Sequence, residues 1–126
     1  MKIKEIRYPV AIASIDDIEN DNIDVFVETD DGTVYTITVF TPNNYYWYMD
    51  KEGLNYMPAS PPDIIVRILT EENIRNAIET YLENDGYWLK LYYLAGKREG
   101  IFDIDAMDRM IDKIKKVKKE IFGDEV

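Results

Sequence analysis

"IDVFVETDDGTVYTITVF", residues 23 to 40, holds two runs of β-branched and aromatic side chains separated by "DDG". That pattern reads as a β-hairpin. Side chains alternate along a strand, so Ile23, Val25 and Val27 share one side against Asp24, Phe26 and Glu28. In the second run Tyr35, Ile37 and Val39 share one face, and Val34, Thr36, Thr38 and Phe40 the other. One buried and one partly solvated face points to an antiparallel sheet.

Upstream of the hairpin, residues 2–13 alternate weakly and carry Pro9, which cannot donate to a ladder, so they are expected at a sheet edge. The opening "MKIKEIRYPVAIAS" sets basic residues before an apolar stretch, as a secretion signal does. Glu5 and Arg7 interrupt it, however, and residues 10–15 are too few for a signal's apolar region. It reads as a first strand. "SIDDIENDN" then forms a turn-rich acidic connection.

Downstream, "TPNN" breaks the chain and "YYWYM" (45–49) reads as a further strand closed by "DKEG". "MPASPP" is a loop, because its three prolines leave few ladder donors. "DIIVRIL" reads as a short strand running into "TEEN". Thr70 is the expected N-cap there, with Glu71 and Glu72 at the positive end of the helix dipole. Ile74, Ala77, Ile78, Tyr81 and Leu82 fall on one helical face. "NDG" at 84–86 stops this helix, with Gly86 free to become left-handed.

"YWLKLYYL" (87–94) is ambiguous by period. Its aromatic content, its length and its place between glycine-containing breaks favour a strand, with a helix as the alternative. Residues 103–122 form the strongest helix, with Ile104, Met107, Met110, Ile111, Ile114, Val117 and Ile121 in one stripe. Asp103 or Asp105 can cap it. The expected fold is therefore α+β: a mostly antiparallel sheet of about five strands with two helices packed on it. No repeat or linker interrupts the chain, so a single globular domain over residues 1–126 is expected.

Composition narrows the chemistry. The 126 residues contain no Cys and no His. Disulfides, thiolates, Ser-His-Asp and Cys-His arrangements and ordinary zinc sites are thereby excluded. Ser14 and Ser60 sit in no nucleophile elbow. "AGKREG" (95–100) lacks the spacing of a phosphate loop and reads as a charged turn. Asp17, Glu19 and Asp21 have the alternate spacing of an EF-hand start, but the glycine and distal glutamate of that loop are missing. Helix capping accounts for Asp103 and Asp105 of "DIDAMD" more simply than magnesium does. No cofactor, no metal and no catalytic group is expected, and no run approaches the roughly 18 apolar residues a membrane helix requires.

The net charge is −10, from 25 acidic and 15 basic residues. A field of this sign repels nucleic acid and anionic membrane and draws in basic partners. It is also uneven. Residues 14–31 hold eight acids (Asp16, Asp17, Glu19, Asp21, Asp24, Glu28, Asp30, Asp31) and no base. The lysines of "KIKKVKKE" read as the solvated face of the last helix rather than as a nucleic-acid patch.

Aromatic residues are clustered too: nine of the twelve Tyr and Trp residues lie in 45–56 or 87–93. On a strand, neighbouring rings point to opposite faces, which would turn Tyr45 and Trp47 outward beside Asp50 and Glu52. Such rings occur in sheet cores, at protein interfaces and on platforms for flat ligands. The candidate partner-binding residues are Asp16, Asp17, Glu19, Asp21, Asp24, Tyr45, Trp47, Asp50, Glu52 and Tyr56.

A small, very acidic α+β chain without Cys or His and rich in Tyr resembles the immunity proteins of bacterial toxin systems. The resemblance lies in size, charge and layout, and no motif or residue is carried across by it. It implies a cytoplasmic, non-enzymatic protein that binds a basic partner such as a cognate toxin, often a nuclease, and blocks its active site. The alternatives are a small-ligand-binding or enzymatic domain built on the Tyr/Trp-rich segment and its nearby carboxylates, and an accessory module of a larger assembly.

Overall fold

The computed structural model describes residues 1–123. Among them are four strands and four α-helices, so the α+β class stands while the count differs from the expected five strands and two helices. The strands are β1 (Ile3–Arg7), β2 (Asn22–Thr29), β3 (Val34–Phe40) and β4 (Ile64–Ile65), in spatial order β1-β2-β3-β4. The first two pairings are antiparallel and β3 with β4 is parallel, which makes the sheet mixed. The helices are α1 (Pro42–Glu52), α2 (Glu71–Tyr81), α3 (Glu83–Lys97) and α4 (Ile104–Phe122). None of the described helices is long and apolar enough to cross a membrane. The chain divides into two compact units, Met1–Lys90 and a second beginning at Leu91.

In the first unit the hairpin pairs Ile23 with Val39, Val25 with Ile37 and Val27 with Tyr35, all six side chains buried. These are the faces expected from alternation. Asp31 organises the turn: its Oδ1 accepts from the buried Thr29 hydroxyl (2.5 Å) and from the Thr33 amide (3.0 Å). Those bonds to its anionic form, the Thr29 hydroxyl first, hold the Asp31 carboxyl below its usual pKa. β1 lies at the edge, with Pro9 just beyond it.

The helix α2 closes the core over this face. Thr70 caps it by accepting from the Asn73 amide (3.1 Å), and Glu71 and Glu72 occupy its first turn. Ile74, Ile78 and Leu82 are buried against Ile37, Val39, Val66 and Leu69, while Ala77 and Tyr81 are partly buried. The helix stops where "NDG" predicts. Asn84, Asp85 and Gly86 all take left-handed backbone (φ 53°, 56° and 68°). Glycine takes this torsion without steric cost, and a Cβ on Gly86 would lie 2.6 Å from Met1 Sδ, so the Met1 side chain would have to shift.

Two expected strands are helices. Residues 45–49 belong to α1, and residues 87–94 belong to α3. "DIIVRIL" contributes only the two residues of β4. In the second unit, α4 has the predicted bounds within a residue, and Asp103 caps it by accepting from the Ala106 amide (2.7 Å). Its apolar stripe is not buried.

The outer side of β1 and β2 carries an ion-pair cluster. Glu28 accepts from Lys4 Nζ (3.1 Å) and from Arg7 Nη2 (2.5 Å). The Lys4 hydrogen bond foremost, with Arg7 beside it, holds the Glu28 carboxyl below the ordinary glutamate pKa. A depressed folded-state pKa adds stability above the unfolded pKa, and that stability is lost as pH falls through the folded value. Glu28→Gln should therefore be less stable than the parent at neutral pH, with the gap closing in acid. Urea midpoints measured from neutral pH into the acid range test this. A gap that stays constant with pH would show that the cluster does not stabilise through charge.

Candidate functional site

The segment 41–53 becomes a helix for local reasons. Thr41 is the N-cap, its Oγ1 accepting from the Asn44 amide (3.3 Å), and Pro42 occupies the first turn, where no amide hydrogen is needed. At the other end Gly53 is left-handed (φ 67°), and its amide donates to the Asp50 carbonyl at 3.3 Å. Once the segment is helical, its residues project about 100° apart rather than 180°. Asn44 is buried, and Tyr45, Tyr48 and Met49 are partly buried on the same side. Tyr46, Trp47, Asp50 and Lys51 face solvent.

This corrects the expected orientation of the rings. Tyr45 does not point outward: it stacks on Phe40, with centroids 4.7 Å apart and planes inclined by 20°. Phe40 leaves β3 on the face opposite the α2-covered core, so Tyr45 covers the end of that second face. Burial foremost, with Asp63 nearby, pushes the Tyr45 hydroxyl pKa up. Asp63 is raised in turn by burial and then by Asp24. The outward rings are Tyr46 (66% exposed) and Trp47 (46%). Trp47 meets Tyr48 edge-on at 5.0 Å, and the Lys51 ammonium lies 5.0 Å from its ring centroid. Both contacts orient the indole without covering it.

The acidic connection is fastened to this helix by a polar network. Asn22 Nδ2 donates to Asn44 Oδ1 (2.9 Å) and to the Tyr48 hydroxyl oxygen (3.2 Å). Asn44 Nδ2 donates to Asn20 Oδ1 (3.2 Å). The Thr41 amide donates to the Asp21 carbonyl (3.3 Å), and the Asp21 amide donates back to Thr41 Oγ1 (3.4 Å). Among the described residues no buried side-chain nitrogen or oxygen lacks a partner, so the network is closed.

Asp16, Asp17 and Glu19 stand exposed on the connection so anchored. Asp17 shapes its turn by accepting from the Glu19 amide (3.0 Å). Glu19 shares a hollow of about 560 Å³ with Pro42 and Asn43 of α1, Ile65 and Arg67. Asp21 is partly buried, its Oδ1 accepting from the Asn22 amide (2.7 Å). Asp24 lies on the open face of β2 and accepts from the Thr38 hydroxyl (2.7 Å).

A second depression borders the C-terminal end of α1. Tyr48, Met49, Glu52, Leu54, Tyr56, Met57 and Pro58 line an apolar groove of about 240 Å³. Of the ten candidate residues, Glu52 and Tyr56 meet here, while Asp50 is exposed on α1 outside it. Tyr45 and Trp47 do not line it, so no single pocket gathers Tyr45, Trp47 and Tyr56. Sequence reasoning missed Asn44, Tyr46, Leu54 and Met57. The signal that could have found them is "TPNN…DKEG", a cap, a first-turn proline and a terminal glycine spaced for a three-turn helix.

Among the described residues no three His, Cys, Asp or Glu side chains converge where a metal ion could sit. No family model, no curated protein and no solved structure matches the chain.

Proposed function

We propose that this protein is a non-enzymatic binding protein, an immunity-type inhibitor that neutralises a basic protein such as a toxin nuclease in the cytoplasm. The docking face is α1 together with the acidic connection. One observation carries the reading. The Asn20–Asn44–Asn22–Tyr48 hydrogen bonds hold the carboxylates of Asp16, Asp17 and Glu19 on backbone tied to the helix that displays Tyr46 and Trp47.

The chemistry of such a face follows from its parts. Carboxylates take the place of nucleic-acid phosphates, attract a basic surface from a distance and raise the association rate. Large rings with polar tips then supply contact area at low entropic cost. Because the connection and helix are already fastened together, little ordering free energy is lost on docking. The groove at Tyr56 and Met57 is smaller than the roughly 300 Å³ at which small-molecule pockets begin. It is the size for one apolar anchor side chain of the partner.

The test pairs the purified protein with the basic protein encoded beside its gene, titrated at about 50 mM and about 300 mM salt. Binding should weaken at least about tenfold with salt, mainly through the association rate. Reversing Asp16, Asp17 and Glu19 to lysine should reproduce that loss at low salt. Trp47→Ala should instead speed dissociation, at a cost of about 2 kcal/mol. Binding indifferent to both salt and charge reversal would overturn the reading, and so would a gene neighbourhood that encodes no basic protein.

A further inference from the structure

α4 is a capped helix of nineteen residues that buries none of its side chains. Its apolar stripe is open: Ile104, Met107, Met110, Ile111, Ile114, Val117 and Ile121 are each between 36% and 68% exposed. An apolar stripe of that length, rimmed by charge, marks an association surface. What covers it is indicated by how the helix is charged along its length.

Residues 103–112 contain four aspartates (Asp103, Asp105, Asp108, Asp112) against one arginine, a net of −3. Residues 113–122 contain five lysines (Lys113, Lys115, Lys116, Lys118, Lys119) against one glutamate, a net of +4. The complement of this helix is therefore the same helix turned end for end. A parallel copy would set like charge against like along the whole contact.

We propose that α4 mediates self-association, packing antiparallel against α4 of a second copy of this chain. The apolar spacing specifies the register. Ile104, Ile111 and Lys118 fall at the first position of a seven-residue repeat, and Met107, Ile114 and Ile121 at the fourth. Laid antiparallel, first positions oppose fourth positions. Ile104 then meets the second copy's Ile121, Ile111 meets Ile114, and Lys118 lies over Met107. The same register places Asp108 beside Lys115 of the other copy along one flank, and Met110 beside Val117 along the other. One alignment thus satisfies the apolar layers, the flanking charges and the charge of both ends.

Lys118 within the seam costs stability and selects register, as polar residues at such positions do. The interface is one short helix from each chain and belongs with those burying less than about 1,200 Å² in total, so the dimer is expected to dissociate on dilution. This inference is independent of the docking face on α1 and stands or falls separately.

The native chain has no cysteine, which makes disulfide trapping clean. Chains carrying Ile104→Cys and chains carrying Ile121→Cys are mixed and oxidised slowly. The expected product is the 104–121 mixed disulfide. Like-with-like disulfides in its place would mean a parallel pair and overturn the orientation. Sedimentation equilibrium on the unmodified protein should give a monomer–dimer equilibrium.

The double variant Ile111→Asp with Ile114→Asp should weaken that equilibrium by more than about tenfold. Its thermal transition should be retained, because neither residue is buried. Lys115→Asp should weaken dimerisation through repulsion from Asp108, and adding Asp108→Lys should restore it. A protein that stays monomeric at millimolar concentration overturns the proposal.

Discussion

Ile78→Ala is expected to lower the unfolding free energy by about 2–5 kcal/mol, the range for truncating a buried isoleucine. Ile78 is fully buried in the middle of α2. It lies in the cluster with Ile37, Val39, Leu69 and Ile74, where the helix closes the inner face of the hairpin. Loss of three carbons there removes transfer free energy and leaves a cavity, because β2 and β3 are paired in register over seven residues each and cannot collapse inward. Ile65→Ala is the matched control. Ile65 is 59% exposed on β4, so its truncation should stay within about 0.5 kcal/mol. Urea denaturation followed by circular dichroism measures both. Equal losses for the two variants would mean that α2 does not form the lid of the core.

The second large effect is at the polar junction. Asn44→Leu keeps the branched outline and heavy-atom count of the side chain and removes both of its hydrogen bonds. Asn20 Oδ1 loses its donor, and Asn22 Nδ2 keeps only the Tyr48 hydroxyl. Leaving such groups unpaired in this partly buried place costs up to about 1–3 kcal/mol, the upper end applying where water cannot reach them. The damage should also be local. Amide hydrogen exchange at Asp21 and Asn22 should accelerate more than at Val25 or Ile37, because the acidic connection is released from α1 while the sheet remains. If Asn44→Leu were as stable as the parent and exchanged like it, the junction would not be what holds the connection in place. If Asn44→Leu also slows partner association, the fastening contributes to binding as well as to the fold.

These two sites differ in how readable they were from sequence. The core face of α2 follows from Ile74, Ile78 and Leu82 at helical spacing behind a Thr70 cap, and the hairpin faces follow from strict alternation. Both patterns arise from interactions within a few residues, so a short window contains them whole. Segment 42–52 also carried its local signals, Thr41, Pro42 and Gly53. The β-propensity of Tyr45, Tyr46, Trp47 and Tyr48 pointed the other way. The helix won because its cap and terminal hydrogen bonds are satisfied within the segment, whereas a strand there would need a neighbouring edge. That edge of β3 is taken by β4. Residues 87–94 went the same way. They follow the left-handed run 84–86 and form backbone hydrogen bonds within α3 rather than with any of the four strands.

The order of residues is enough to specify the hairpin, its two faces, the capped helices at Thr70 and Asp103, the stop at Gly86 and the uneven charge. All of these are set by side-chain period, local hydrogen bonds or counting. Tertiary structure alone decided which rings of the aromatic segment reach solvent. Changing from strand to helix re-aims each side chain, burying Tyr45 on Phe40 and exposing Tyr46. It alone joined the acidic connection to α1, through Asn20, Asn22 and Asn44. Those residues are more than twenty positions apart in pairs. Hydrogen bonds across that separation leave no periodic trace in the sequence, and they form only after the sheet has brought both segments to the same end.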